Sequence, residues 1–200
     1  MSVLDAAAAA TDSLRDRKKR ETRQRIHRIA LCLVLERGLD QVTVQDIADG
    51  ADISPRTLFN YYACKEDAVV GFDAASVETL AQRLLERPAE ESLATALRAA
   101  VSGHLGEVST DAELLQLRRR LAEQHPELAS RLAGAGQRRE RALATAAYQR
   151  SGTTPATDLQ PSVLARVALA AARAAFEQHR VAEAGSLIDR LQEAFDIAGL

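Results

Sequence analysis

Hydrophobic and polar positions recur with helical spacing along nearly the whole chain. A long helix is predicted from Arg17 to Gly38, with apolar residues every three or four positions and glycine as the C-terminal stop. Another is predicted from Lys65 to about Glu86, ended by Pro88. Together with two short helices described below, the pattern predicts about nine helices, the last five covering 90–106, 111–123, 126–150, 161–179 and 184–198.

Two short helices joined by a tight turn are predicted after the first long one. Thr43 and Asp46 form a capping-box-like start for the first of them. The second follows almost at once, because Ser54 is a good N-cap and Pro55 suits the first helical position. Two short helices behind a longer basic helix are typical of a helix-turn-helix.

The second short helix would bury Leu58 and Tyr62 and turn a polar face outward. Arginine can donate twice to guanine, asparagine can pair with adenine, threonine offers a methyl group to thymine, and tyrosine can donate to a phosphate. The outward residues are Arg56, Thr57, Asn60 and Tyr61. Phe59 is expected to pack inside the fold with Tyr62, and inward packing is the alternative for Tyr61.

Composition and charge agree with an all-α protein that has one basic end. Hydrophobic residues make up 46% and charged residues 27%, with five prolines and ten glycines, values of an ordinary globular protein. The net charge of −2 conceals a segment, Arg15 to Arg28, with eight basic and two acidic residues. Such a run favours an anionic partner, although it can also be a solvated helix face.

The first third of the chain resembles the DNA-binding head of the TetR family of bacterial regulators. The resemblance is carried by VQDIA at 44–48, ISPRTLFNYY at 53–62 and KED at 65–67. It implies that the third helix enters the major groove with Arg56, Thr57 and Asn60 as base readers. It also implies backbone contacts, whose residues are Thr43, Tyr61, Lys65 and the flanking arm Arg17, Lys18, Lys19 and Arg20.

Two positions depart from that family's pattern. Asp52 stands in the turn where glycine is common, and it is expected to adopt a left-handed conformation at modest cost. Cys64 stands where a small or polar residue is common, and a redox role there is left open. The expected organisation is a disordered arm over 1–14, a helix-turn-helix domain over 15–64 and a ligand-binding and dimerisation domain over 65–200.

The last two predicted helices carry small and apolar stripes. Two such helices from each subunit can form a four-helix interface, the usual dimer surface of the resembled family. The alternative is that the stripes close the core of their own subunit. The residues concerned are Leu164, Val167, Ala171, Ala174, Leu187, Leu191 and Ala194.

The resemblance also implies a small-molecule effector held among the helices of the C-terminal domain. Residues 124–152 resemble actinobacterial members similar to mycofactocin-system regulators, some of which respond to long-chain acyl-CoA. The run Arg118 to Arg120 would then meet nucleotide phosphates, or else form a solvated face. His104 is either a polar anchor or a core histidine. The predicted effector contacts are His104, Leu117, Arg118, Leu121 and Phe176.

Neither catalysis nor a metal site is indicated, and no cofactor is expected. The four histidines are scattered without ligand spacing, and the cysteines lack metal-ligand spacing. No apolar stretch is long enough to span a bilayer, so a cytoplasmic protein is expected. The sequence predicts a dimeric, ligand-released repressor that binds operator DNA. The alternative is a helical adaptor or nucleoid-type protein that binds DNA without reading its sequence.

Overall fold

The computed structural model describes residues 3–72, 74–108, 112–181 and 186–200. Over these ranges it is helical and contains no strand, which confirms the all-α prediction. None of the described helices combines the length and hydropathy that a membrane span requires. The helices are α1 (Val3–Arg37), α2 (Val44–Gly50), α3 (Pro55–Phe59), α4 (Lys65–Val70), α5 (Ala74–Leu85), α6 (Leu93–Val108), α7 (Ala112–Gln124), α8 (Ala129–Ser151), α9 (Gln160–Val181) and α10 (Leu187–Ile197).

The chain forms two compact units, whose boundary differs from the predicted one at residue 64. The first unit comprises Met1–Asp73 and Gln116–Leu132, and the second comprises Ala74–Leu115 and Ala133–Leu200. The first therefore includes α4, whose apolar residues are buried. It also includes a segment distant in sequence, which local patterns do not reveal.

The first helix is longer than predicted. It begins at Val3, so residues expected to belong to a disordered arm continue the helix. Their alanine run explains the extension, because alanine has the highest helix propensity. The helix ends before Gly38, whose φ of 83° is a conformation that favours glycine.

The predicted helix from Lys65 to Glu86 is wrong, because the structure divides it into α4 and α5. Gly71 adopts a left-handed conformation with φ of 67°. The amide of Phe72 donates to the carbonyl of Asp67 at 2.9 Å, which closes the end of α4. The helical pattern continues on both sides of Gly71, so periodicity alone does not reveal this break.

The core of the first unit is small and aliphatic. It draws buried residues from each of the first four helices, including Ile26, Val34, Ile47, Leu58 and Val69. Because α2 and α3 are short, the packing of α2 against α1 and of α3 against α2, rather than helix propensity, must hold them in place. This packing fixes the orientation of the helix-turn-helix.

The core of the second unit is formed by α5, α6, α8, α9 and α10 and is rich in alanine. It contains Ala171 and Leu191, which the sequence assigned to a dimer surface. Leu187 is buried as well. Ala171 and Leu191 therefore pack in the core of their own unit, as the alternative expects, and the dimer surface stays a prediction.

Candidate nucleic-acid interface

The start of α2 is fixed by a reciprocal cap. The hydroxyl of Thr43 accepts from the amide of Asp46 at 3.1 Å, and the amide of Thr43 donates to the Asp46 carboxylate at 2.8 Å. The predicted capping box is therefore confirmed. Hydrogen bonds from Thr43 hold the pKa of Asp46 below its usual value. Thr43 is exposed at the N-terminus of α2, where a phosphate would be favoured.

The turn between α2 and α3 is as tight as the sequence predicts. Asp52 has φ of 53°, which confirms its left-handed conformation. The amide of Ile53 donates to the carbonyl of Ala48 at 3.0 Å and closes the end of α2. Ser54 then caps α3 by accepting from the amide of Thr57 at 3.1 Å. Three consecutive residues, Asp52, Ile53 and Ser54, thus place α3 relative to α2.

The inner face of α3 and the following turn is formed by Leu58 and Tyr62, as predicted. Leu58 is fully buried, and the hydroxyl of Tyr62 donates to the carbonyl of Arg23 in α1 at 3.1 Å. The Tyr62 hydrogen bond ties the turn after α3 to α1, and the burial of Leu58 sets which face of α3 points inward. These contacts leave the remaining side chains of the helix directed away from the core.

The outer face carries the predicted base readers. Arg56 and Asn60 are exposed. Thr57 is half-buried, and its hydroxyl lies 2.8 Å from that of Ser54. The hydroxyl of Thr57 already has one local partner, and its methyl group is available for apolar contact with a base.

Phe59 also lies on the outer face, contrary to the prediction that it packs inside. Its side chain is 54% exposed. The physical reason is the 3.6-residue period, since the position after Leu58 lies about 100° around the helix from the buried stripe. That period was the available signal, and the hydrophobicity of phenylalanine outweighed it.

Tyr61 connects α3 to the basic part of α1. It is half-buried, and the guanidinium carbon of Arg23 lies 5.6 Å from its ring centroid, a cation–π distance. The arm residues on α1 are all exposed: Arg17, Lys18, Lys19 and Arg20. Basic charge therefore extends along α1 toward the turn that holds Tyr61.

Lys65 has a structural role that the sequence did not reveal. Its Nζ donates to the carbonyls of Leu39 and Val42 at 2.9 and 2.8 Å. These charge-assisted bonds tie the N-terminus of α4 to the segment that precedes α2. An ammonium group has three N–H donors, so one remains for the phosphate contact that the resemblance implies.

His27 is buried beneath α4, with 2% of its surface exposed. Its Nδ1 lies 2.7 Å from the carbonyl of Ala68, and its Nε2 accepts from Nε of Arg118 at 2.8 Å. Because a carbonyl only accepts, Nδ1 carries the proton and the imidazole is neutral. Burial and then Arg118 lower its pKa to about 3. This bridge joins α1, α4 and α7 within the first unit.

Cys64 at the start of α4 is held by Arg131, whose Nη1 lies 3.3 Å from its Sγ and 3.2 Å from a carboxylate oxygen of Asp67. Burial raises the pKa of the Cys64 thiol. A raised pKa lowers the thiolate fraction, so the burial of Cys64 does not favour a redox role.

The predicted effector residues do not gather within either unit. His104 is buried in α6 and Phe176 is half-buried in α9, both in the second unit. The others belong to the first unit, where Leu121 is buried and Arg118 contacts His27. The side chain of Arg119 lies outside the described residues. Nε of Arg118 thus takes part in the packing of the first unit, a role that the sequence did not predict.

Comparisons with known proteins agree with this helix-turn-helix geometry. A family model described as "Bacterial regulatory proteins, tetR family" matches residues 28–70, and one described as "MftR C-terminal domain" matches residues 91–199. The second match covers more than half of the chain. The protein belongs to the TetR family of bacterial transcriptional regulators.

Individual relatives cover almost the whole chain. The HTH-type transcriptional regulator TcmR of Streptomyces glaucescens is 30% identical, over 92% of this chain and 84% of its own length. MftR of Mycobacterium tuberculosis is 34% identical, over 92% of both chains. In fold, the chain is similar to SmeT, described as the repressor of a Stenotrophomonas maltophilia multidrug efflux pump, with a TM-score of 0.53, 18% identity and coverage of 88% and 87%. The protein is thus a helix-turn-helix DNA-binding regulator and not an enzyme.

Proposed function

We propose that the protein is a dimeric repressor that reads operator DNA with α3 and releases it when an apolar small molecule binds the second unit. One observation carries the DNA-binding part of this proposal. α3 buries Leu58 and presents Arg56, Phe59 and Asn60 to solvent. α3 has five residues, of which one is buried, so it contributes little to the core of the first unit. This favours a role for its outer face in recognition.

Each exposed side chain of α3 has a base-edge partner. The guanidinium of Arg56 fits guanine, and the amide of Asn60 fits adenine. The ring of Phe59 and the methyl group of Thr57 supply apolar contact to thymine methyl groups. Each good bidentate pair contributes about 1–3 kcal/mol of discrimination against the wrong base.

The phosphate contacts would surround this face. Thr43 lies at the N-terminus of α2, Lys65 at that of α4, and Tyr61 follows α3. The four exposed basic residues at 17–20 would add contacts without sequence preference. Such contacts set the position of α3 on the duplex, and the bases set its preference.

Dimerisation is supported by apolar residues that remain exposed on the last two helices. Val163 on α9 and Ile188 and Ile197 on α10 are exposed, as is Ala174 from the predicted stripe. Three others from that stripe are half-buried: Leu164, Val167 and Ala194. Two-fold symmetry would place two copies of α3 roughly 34–36 Å apart, which matches one turn of DNA.

Asn60→Ala is expected to weaken binding to the operator by about 1–3 kcal/mol while leaving binding to random DNA nearly unchanged. The operator is first obtained by selecting bound fragments from the source genome. Affinities are then measured by fluorescence anisotropy over a salt series. The matched control is Lys19→Ala, which should weaken all DNA alike and reduce the salt slope by about 1.

The same measurement distinguishes the adaptor or nucleoid-type alternative. If Asn60→Ala weakens operator and random DNA equally, α3 does not read bases and the alternative is favoured. A selection that enriches no fragment above bulk DNA would have the same meaning.

Phe59→Ala is expected to weaken operator binding without destabilising the protein. Its ring is exposed, so the free energy of unfolding should change by no more than about 0.5 kcal/mol. Leu58→Ala, at the neighbouring buried position, should cost about 2–5 kcal/mol of stability. Thermal melting and operator titration check both variants, and a large loss of stability in Phe59→Ala would contradict the outward placement.

A further inference from the structure

An arginine interrupts the buried stripe of α8 in the second unit. Ala135, Leu143 and Ala146 are buried, and Arg139 stands on the same stripe, four residues from each of the first two. Arg139 is half-buried and its Nε is fully shielded from solvent. Within the described residues this Nε has no hydrogen-bond partner. A buried donor in that state requires an explanation.

The charge of Arg139 is also uncompensated. Burial and then the nearby positive charge of Arg173 on α9 lower the pKa of Arg139. Arg173 is exposed and lies 3.6 Å from a carboxylate oxygen of Glu140, whereas no carboxylate of the described chain pairs with Arg139. Among the described residues, Glu140 therefore pairs with Arg173 and leaves the charge of Arg139 without a carboxylate partner. Removing even part of an unpaired cation from water is costly, so an anion bound beside Arg139 would offset that cost.

We infer that Arg139 anchors an anion-binding site in the second unit, and that its ligand is an apolar molecule carrying one carboxylate. The Nε–H and one Nη–H of a guanidinium form a fork that matches the two oxygens of a carboxylate. One negative charge is what the uncompensated guanidinium requires. The stripe around Arg139 consists of alkyl side chains, which favour an apolar remainder. The ligand of this site would be the effector of the proposed function. The inference rests on that proposal only in the claim that ligand binding releases DNA.

The test measures thermal stabilisation of the full chain by a panel of carboxylates, each paired with its neutral amide. The probes are octanoate, decanoate, dodecanoate, benzoate and 2-naphthoate at millimolar concentration. At least one carboxylate is expected to raise the melting temperature by several degrees, and its amide should not. Isothermal titration then gives the dissociation constant.

Two matched variants locate the site. Arg139→Met keeps an unbranched side chain without the charge, and Arg141→Met removes an exposed arginine two residues away on the same helix. The active carboxylate should bind Arg139→Met at least tenfold more weakly than the wild type and Arg141→Met with unchanged affinity. Without ligand, Arg139→Met should melt at the same temperature as the wild type or higher, so folding does not confound the comparison.

Several results would overturn the inference. These are a panel in which no carboxylate stabilises the protein, equal stabilisation by the amides, or undiminished binding to Arg139→Met. Decyl phosphate binding more tightly than decanoate in an Arg139-dependent manner would overturn the carboxylate assignment. The carboxylate-binding measurements contain no DNA. A protein that fails to bind an operator would therefore contradict the proposed function without changing the result for this site.

Discussion

Gly71→Ala is expected to lower the free energy of unfolding by about 2–5 kcal/mol, from two causes. Gly71 has φ of 67°, where a Cβ atom costs about 1–2 kcal/mol. That Cβ would also lie 2.8 Å from two ring atoms of His27 and 2.9 Å from a guanidinium nitrogen of Arg118. The imidazole is hydrogen-bonded at both nitrogens and cannot move aside without breaking one of those bonds. Urea denaturation followed by circular dichroism measures the loss.

The matched control for this variant is Gly152→Ala. Gly152 has a similar φ of 64°, but nothing lies within 4 Å of its added Cβ. It should therefore lose only the left-handed contribution of about 1–2 kcal/mol. The difference between the two variants isolates the overlap with His27 and Arg118. Equal losses would show that His27 and Arg118 move aside for the added Cβ and that their packing around Gly71 is loose.

Acidification from pH 6.5 to 5 is expected to remove about 1.5–2 kcal/mol of stability through His27. In the folded chain, burial and then Arg118 lower its pKa to about 3, so the ring remains neutral over this range. In the unfolded chain it binds a proton below about pH 6.5. The unfolded state thus gains protons as the pH falls, and stability decreases between pH 6.5 and about 3, with a slope approaching about 1.4 kcal/mol per pH unit.

The contribution of His27 is separated from that of other groups by comparison with His27→Gln. The glutamine amide can accept and donate hydrogen bonds but does not titrate. The free energy of unfolding of the variant should therefore decline less steeply with acidification. Proton NMR provides a second measurement that does not depend on the variant, since the ring C–H resonance of His27 should not shift between pH 7 and 5. Parallel pH profiles, or a resonance that titrates near pH 6.5, would contradict a neutral, buried bridge.

Local signals in the sequence predicted the helix-turn-helix well. The Thr43 cap, the left-handed Asp52 and the Ser54 start all depend on residues within four positions of each other, and the structure confirms each. Leu58 and Tyr62 followed from the helical period. Such features are set by short-range hydrogen bonds and periodicity, which a sequence displays directly.

The features that the sequence missed depend on contacts between distant segments. The end of α4 at Gly71 is accompanied by close approach of His27 and Arg118, which lie far away along the chain. The role of Lys65 depends on carbonyl groups more than twenty residues earlier. The sequence pattern of small and apolar residues on α9 and α10 is the same whether these residues face a core or a second subunit. Only packing distinguishes these cases.

The residues of α3 and its following turn that stabilise the fold differ from those that face solvent. This separation affects how the DNA preference of the regulator can change. Stability depends on Leu58 and Tyr62, whereas Arg56, Phe59 and Asn60 face solvent and contribute little to it. Mutations on the outer side can therefore accumulate without unfolding the head. After gene duplication, a copy could acquire a new target promoter while inheriting its scaffold intact.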